Sequence, residues 1–155
     1  MNYTFVPIDL TNESHEKQLL RLLDIYMQDE MGKGAPMDQN MAPKIMEGLR
    51  TYSGYLGFFA VADGEYAALA NCNHDFSTFQ AKPLINIHDF VVHPDFRGKG
   101  AGLFLLEGIA AFAREHGYCR INLEVRHDNV GARKLYQKAG YNDCEPRMYL
   151  WEKIL

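Results

Sequence analysis

Three glycines at alternate positions, Gly98, Gly100 and Gly102, with Arg97 before the first and Lys99 between the first two, separate the apolar run LINIHDFVV (84–92) from a segment beginning LFLLEGIAAF. The first run is rich in β-branched residues and reads as a strand. The second places Leu103, Leu106, Ala110 and Ala113 on one face of a helix from Gly102 to His116, which Gly117 ends in the left-handed position. A strand, a loosened turn and an amphipathic helix in succession must lay the helix against a sheet. The predicted class is therefore α/β.

The rest of the chain extends that unit. YTFVPI (3–8) reads as a strand, with Pro7 favouring an edge, and Leu19, Leu22, Leu23, Tyr26 and Met27 mark a helix over 13–30. The loop MGKGAPMDQN (31–40) leads to a helix over 41–51. LGFFAVA (56–62), Asp63-Gly64 and EYAALANCNHDF (65–76) read as a hairpin, Asp-Gly being a strong two-residue turn signal. RINLEV (120–125) alternates as a strand, a helix follows over 130–139 with Gly140 as its stop, and two weaker strands are expected at 141–144 and 147–153. No repeat or linker divides the chain, so a single domain over 1–155 is expected.

Composition narrows the partners. Sixteen Lys and Arg against twenty Asp and Glu leave a net charge of −4, with no basic stripe, which disfavours nucleic acid and suits a small cation. Cys72, Cys119 and Cys144 are far apart, lack metal spacing and read as reduced, mostly buried thiols. Of the six histidines, His15, His74, His88, His93, His116 and His127, none forms a ligand-spaced pair with Cys or a carboxylate, so no metal is expected. MNYTFVPIDLTNESHEK has no basic region leading into an apolar stretch, and no segment approaches the roughly 20 apolar residues of a membrane helix. The expectation is a cytoplasmic protein without membrane contact.

The turn itself invites an anion. The first N–H groups of a helix lack partners within it, the helix dipole leaves partial positive charge there, and glycines admit a phosphate close to the backbone. A turn that only reverses the chain, with Arg97 and Lys99 solvated, is the alternative these residues leave open. A nucleotide-triphosphate loop is excluded because Gly100 follows Lys99 where Ser or Thr would hold magnesium, and a GxGxxG fingerprint fails on spacing.

Arg97-Gly98-Lys99-Gly100-Ala101-Gly102 resembles the Arg/Gln-x-x-Gly-x-Gly/Ala signature of the GNAT family of N-acetyltransferases. VVHPDFRGKGAGLFLL is similar to that family's fourth strand, turn and third helix. LEVRHDNVGARKLYQKAGY is similar to its fifth strand and fourth helix, through Asn129, Ala132, Leu135, Tyr136, Gly140 and Tyr141. The resemblance implies a mixed, mostly antiparallel sheet of about seven strands, helices on both faces and splayed fourth and fifth strands. It implies acetyl-CoA as cosubstrate, with the pantetheine arm on the backbone of Phe90, Val91 and Val92, the pyrophosphate on residues 97–102, and Asn129 and Ala132 nearby; Asn129 also suits a helix N-cap. Tyr136 becomes the candidate acid for the leaving thiolate.

STFQAKPLINIHDFVVHPDFRGKG (77–100) is similar to the diamine and polyamine branch, in which a glutamate usually stands where this chain has His88. An imidazole can take a proton at neutral pH, so His88 is the candidate base, directly or through water, with Glu124 and ordered water as rivals. On a regular strand His88 and Asp89 would face opposite ways. By position the resemblance implies Asp29, Glu30, Asn122 and Glu124 around the amine, with His74 and Asp75 as possible borders. The implied activity is direct acetyl transfer to a primary amine of a small molecule. A protein N-terminal or lysine acetyltransferase, in which loop 32–40 would leave an open groove, and a non-catalytic CoA-binding module are the other readings; Cys119 as a covalent carrier lacks an activating partner. A homodimer is compatible with the resemblance, although no residue marks an interface.

Overall fold

The computed structural model describes residues 1–155. Five strands, β1 (Tyr3–Pro7), β2 (Tyr55–Ala62), β3 (Glu65–Ser77), β4 (Lys82–Val92) and β5 (Ile121–Leu123), form one sheet in sequential order. The first four run antiparallel to their neighbours, and β5 joins β4 in parallel. Helices α1 (Glu13–Gln28) and α2 (Met41–Thr51) cover one face; α3 (Ala101–Glu115) and α4 (Val130–Lys138) cover the other.

Strand alternation divides the interior into two cores. Phe58 points to the α3 side, where it stacks on Phe5 at 5.0 Å and meets Phe112 edge-on at 4.9 Å. Its neighbour Phe59 points to the α1 side, against Tyr66 at 4.8 Å, with Leu19, Leu22, Leu23 and Met46. Each of these phenylalanines is buried to within 1 % and contributes about 1.5–3 kcal/mol by leaving water. Because both faces carry full cores, the central strands cannot slip register without exposing one of them.

Local signals behave as their chemistry requires. Asp63 and Gly64 take φ of 49° and 90°, the paired positive values of a tight hairpin turn. Asn12 caps α1 by accepting from the N–H groups of Ser14 and His15. That helix stops at Gln28, two residues before the expected end, because Asp29 turns extended and the N–H groups of Lys33 and Ala35 fold back onto the Met27 carbonyl. On α3 the buried face is Leu105, Leu106, Ile109 and Ala113, with Leu103 and Ala110 half-buried, so the expected stripe is rotated. The helix carries apolar residues around most of its girth, which makes its period a weak guide to its facing.

Two expected strands are absent. Residues 141–144 and 147–153 form no ladder, leaving five strands where about seven were expected, and β5 is shorter than the 120–125 read from its alternation. Alternation identifies a segment able to pair, but pairing needs an edge within reach, and beyond Tyr141 the chain makes no bond to β5.

Gly108 lets α3 settle on β1: a Cβ there would come within 2.3 Å of the Phe5 ring. Gly108→Val is expected to cost about 1–3 kcal/mol through overpacking. Urea unfolding followed by far-ultraviolet circular dichroism measures it, and an unchanged midpoint would contradict this packing account.

Candidate active site

The site begins where two strands part. β5 pairs with β4 over three positions only, Ile85 with Ile121, Asn86 with Asn122 and Ile87 with Leu123. Immediately beyond, the β3–β4 register shifts: Asn71 faces Asp89 while Cys72 faces Ile87, leaving His88 as an extra residue. This β-bulge bends the strand away from its neighbour. It also corrects the expected alternation. Ile85 and Ile87 enter the α3-side core, Val91 enters the α1-side core, and His88 and Asp89 both border a cleft on the α1 side.

Beyond the bulge, β4 has a partner on one side. The His93 N–H donates to the Ala67 carbonyl at 2.9 Å, which fixes the phase of the ladder: the peptide groups of Val91 face β3, and those of Phe90 and Val92 face the gap. The Val92 carbonyl accepts from Arg97 Nε at 3.1 Å. Of the three backbone positions implied by the resemblance, Phe90 and Val92 open toward the gap, and Val91 anchors the strand from behind.

The glycine turn lies at the end of this gap. Gly98 and Gly100 have φ of 73° and 95°, in the region closed to most side chains. The N–H groups of Gly98, Gly100, Ala101, Gly102 and Leu103 have no acceptor in the chain. A Cβ at Gly98 would meet nothing within 4 Å, and one at Gly100 only the edge of Tyr3 at 4.0 Å, so the space before these donors is open. The five donors thus form a cradle of unpartnered N–H groups beside space that side chains at Gly98 and Gly100 would enter. The Tyr3 hydroxyl donates to the Lys99 carbonyl at 2.8 Å and ties the turn to β1. Gly102 serves packing, since a Cβ there would lie 2.9 Å from Leu135 and 3.1 Å from Val92.

Arg97 and Asp29, expected on the cofactor and amine sides respectively, meet each other at 2.9 Å. The Met31 N–H and the Arg97 guanidinium together hold the Asp29 carboxyl below the usual carboxylate range. Lys99 is exposed and makes no ion pair, so it is the unpaired cation of the turn.

Tyr136 enters the same region from α4, packed with Ala132, Leu135 and Ala139 as their helical spacing requires. Its ring meets Phe90 edge-on at 5.9 Å. Burial pushes its hydroxyl up to about 12, so it holds its proton throughout neutral pH. The buried Tyr141 hydroxyl has no partner. Asn129 caps α4 by accepting from the Ala132 N–H at 3.1 Å, fulfilling the structural role its position allowed.

On the other side of β4, two adjoining clefts of about 290 and 270 Å³ share Leu23, Met27 and Asp89. Asp89 is fixed by a relay: the Tyr55 hydroxyl donates to Asn71 Oδ1 at 2.8 Å, and Asn71 Nδ2 donates to Asp89 at 3.0 Å. Burial, then the charges of Asp89 and Asp29, raise the Tyr26 hydroxyl above its ordinary range. Asp89 is not among the site residues expected from the sequence, because it is the bulge that turns it toward the cleft. Glu30 contributes its carbonyl to Arg126 at 3.3 Å, and Arg126 pairs with Asp128. Asn122 accepts from Arg120, Glu124 is exposed beyond β5, and neither lines the two clefts. His74 bonds Tyr118 at 2.8 Å, and Asp75 likewise lies outside both clefts.

Cys72 is buried, Cys119 half-buried and Cys144 exposed, so the expected burial holds for one of the three. Burial raises the Cys72 thiol well above its ordinary range. No group of three or more His, Cys, Asp or Glu side chains is arranged to hold a metal ion. No helix is long and apolar enough to cross a membrane.

Residues 19–141 match the profile of the Acetyltransferase (GNAT) family. A streptothricin acetyltransferase of Streptomyces lavendulae is 38 % identical over 88 residues, 56 % of this chain and 44 % of that protein. The [ribosomal protein bS18]-alanine N-acetyltransferase of Escherichia coli K12 is 32 % identical over 93 residues, 60 % of this chain and 59 % of that protein. The chain spans about half the length of the curated relatives it matches. Among solved structures, AAC(6')-Iy in complex with a bisubstrate analogue, CoA-S-monomethyl-acetylneamine, superposes with a TM-score of 0.76 at 17 % identity, covering all of both chains. With the splayed strands, the glycine cradle and a profile match across most of its length, the chain belongs to the Acetyltransferase (GNAT) family.

Proposed function

We propose that this chain transfers an acetyl group from acetyl-CoA to a primary amine of a small cationic molecule. The observation that carries the reading is the cradle of five unpartnered N–H groups opening beside the free side of β4. Acetyl-CoA, as cosubstrate, supplies an activated acetyl thioester and leaves as a free thiol. The cradle and Lys99 hold the pyrophosphate, Phe90 and Val92 offer backbone groups to the pantetheine arm, and Asn129 and Ala132 flank it. Arg97 reaches the same phosphates only by sharing its guanidinium with Asp29.

His88, directly or through water, takes the proton the amine loses as its nitrogen attacks the carbonyl. Tyr136 gives its proton to sulfur as the carbon–sulfur bond breaks. Burial keeps the hydroxyl protonated until pH approaches about 12, so the proton is present to be given, and the same burial makes the phenol a weaker acid than in water. Asp89, fixed by Asn71, attracts the acceptor's ammonium while its neighbouring amine reacts. Di- and polyamines lead the acceptor candidates because of the resemblance over 77–100; aminoglycosides and streptothricin-like amines follow because relatives and neighbours carry those names. The similarity to a ribosomal-protein alanine acetyltransferase supports a second reading, a peptide N-terminus as acceptor.

Calorimetric titration with acetyl-CoA followed by thiol release against amines and short peptides tests the whole reading. Gly100→Val, which sets a branched side chain at φ 95°, is expected to weaken acetyl-CoA binding by about tenfold or more; equal affinity would sink the cradle. Tyr136→Phe is expected to lower kcat about a hundredfold with acetyl-CoA affinity retained, and an unaltered rate across pH would remove the general acid. Asp89→Asn is expected to raise KM for a cationic amine about tenfold with a smaller change in kcat. Equal KM values for the two proteins would move the ammonium site elsewhere. His88→Ala, assayed alongside, should lower kcat; an unaltered rate and pH profile pass the base role to water or Glu124.

A further inference from the structure

The larger part of the α1-side cleft has a floor and walls of opposite chemistry. Its floor is the sheet, with Tyr55 from β2, Asn71 and Asn73 from β3, and His88 and Asp89 from β4. Its walls are helical. Met41, Ile45 and Leu49 recur every four residues along one face of α2, and Leu23 and Met27 share the same spacing on α1. These five apolar side chains border an open space of about 270 Å³ whose one carboxylate is Asp89. The adjoining cleft shares that carboxylate and adds a cation, Lys33.

We propose that the acceptor is an amphiphilic primary amine, its positive charge gathered at the nitrogen end and its body a short apolar chain lying against α1 and α2. The inference rests on acetyl transfer as proposed above and narrows its acceptor. A polyamine spreads ammonium groups along its chain, and each of them needs an anion or water. Beyond Asp89 the two clefts offer no second carboxylate. Asp29 is bound to Arg97 and, like Glu30 and Glu124, lines neither cleft, while Lys33 repels a distal ammonium. The lining thus sets an amine such as hexylamine ahead of the di- and polyamines favoured by the resemblance over 77–100.

Each part of the lining then has a use. The relay from Tyr55 through Asn71 fixes Asp89 at the polar end, where it receives the arriving ammonium beside His88, the proposed base. The apolar body leaves water against the helical walls, at a gain of about fourfold for each methylene buried. Two of the five wall residues are methionines, whose unbranched thioethers adapt to bodies of different outline, so the cleft selects by polarity more than by shape. At 290 and 270 Å³ the clefts fall below the range of about 300–1,000 Å³ that drug-sized ligands occupy, which suits a few carbons better than an aminoglycoside.

Hexylamine and 1,6-diaminohexane differ only at the far end and make the decisive pair. With saturating acetyl-CoA, thiol release by the full chain is expected to give hexylamine a kcat/KM about tenfold or more above that of the diamine, and a rise of about fourfold per methylene from propylamine to pentylamine. Met41→Glu sets a carboxylate in the wall at the first residue of α2, where Met41 is 38 % exposed and a helix accepts negative charge. It should narrow the preference for hexylamine by about tenfold, with acetyl-CoA affinity as the check on folding. Calorimetric titration of both amines into the CoA-saturated protein repeats the ranking without turnover. Thiol release that favours the diamine or spermidine, or that ignores chain length, overturns the inference and leaves acetyl transfer standing, as does a ratio unmoved by Met41→Glu. Preferential binding of hexylamine with no thiol release from any amine supports the cleft's selection and overturns acetyl transfer. Binding of neither amine overturns the inference, whether or not peptides release thiol.

Discussion

The parallel contact between β4 and β5 is only three residues long, and the site depends on its brevity. A parallel neighbour that continued along β4 would consume the peptide groups of Phe90 and Val92 and close the space above Tyr136. The extra residue at His88 ends the pairing by bending β4, and it does so next to Asp89, the carboxylate that the same bend turns into the α1-side cleft. One inserted residue thus opens the gap on one side of the sheet and equips the cleft on the other. The irregularity persists because Ile85 and Ile87 before it are buried in one core and Val91 after it in the other, so smoothing it away would turn one set out of its core.

Much of this architecture is readable from local chemistry. Asp63-Gly64 specifies its turn, Asn129 specifies a cap, and Tyr136 falls on the buried face with Ala132 and Leu135 because a helix leaves it no other choice. The glycine cradle is readable too, because positive φ and close approach are properties of glycine itself. Asp89 is not readable, because its direction depends on a register shift set by β3, which no period-two pattern records. The meeting of Arg97 with Asp29 joins residues 68 apart and is equally invisible to local reasoning. The tail illustrates the opposite failure: its apolar run is plain, but a strand is a relation between two segments, and the sequence names only one of them.

Tyrosine hydroxyls recur around the gap, and their surroundings separate their uses. Tyr55 spends its proton on Asn71 and thereby aims Asp89. Tyr3 braces the turn through the Lys99 carbonyl. Tyr136 and Tyr141 are both raised to about 12 by burial, so both remain neutral donors under ordinary conditions. Similar proton affinities therefore do not distinguish them; position on α4 against Phe90 does.

The ion pair between Arg97 and Asp29 fastens the end of α1 to the glycine turn. The loop that borders the α1-side cleft and the glycine turn are consequently tied together by a half-exposed contact that salt weakens. If acetyl-CoA draws Arg97 toward its phosphates, as the proposed function has it, Asp29 and the loop it holds are released together. Any coupling carried by this ion pair would then act by the same factor on the affinity of each ligand for the other's complex.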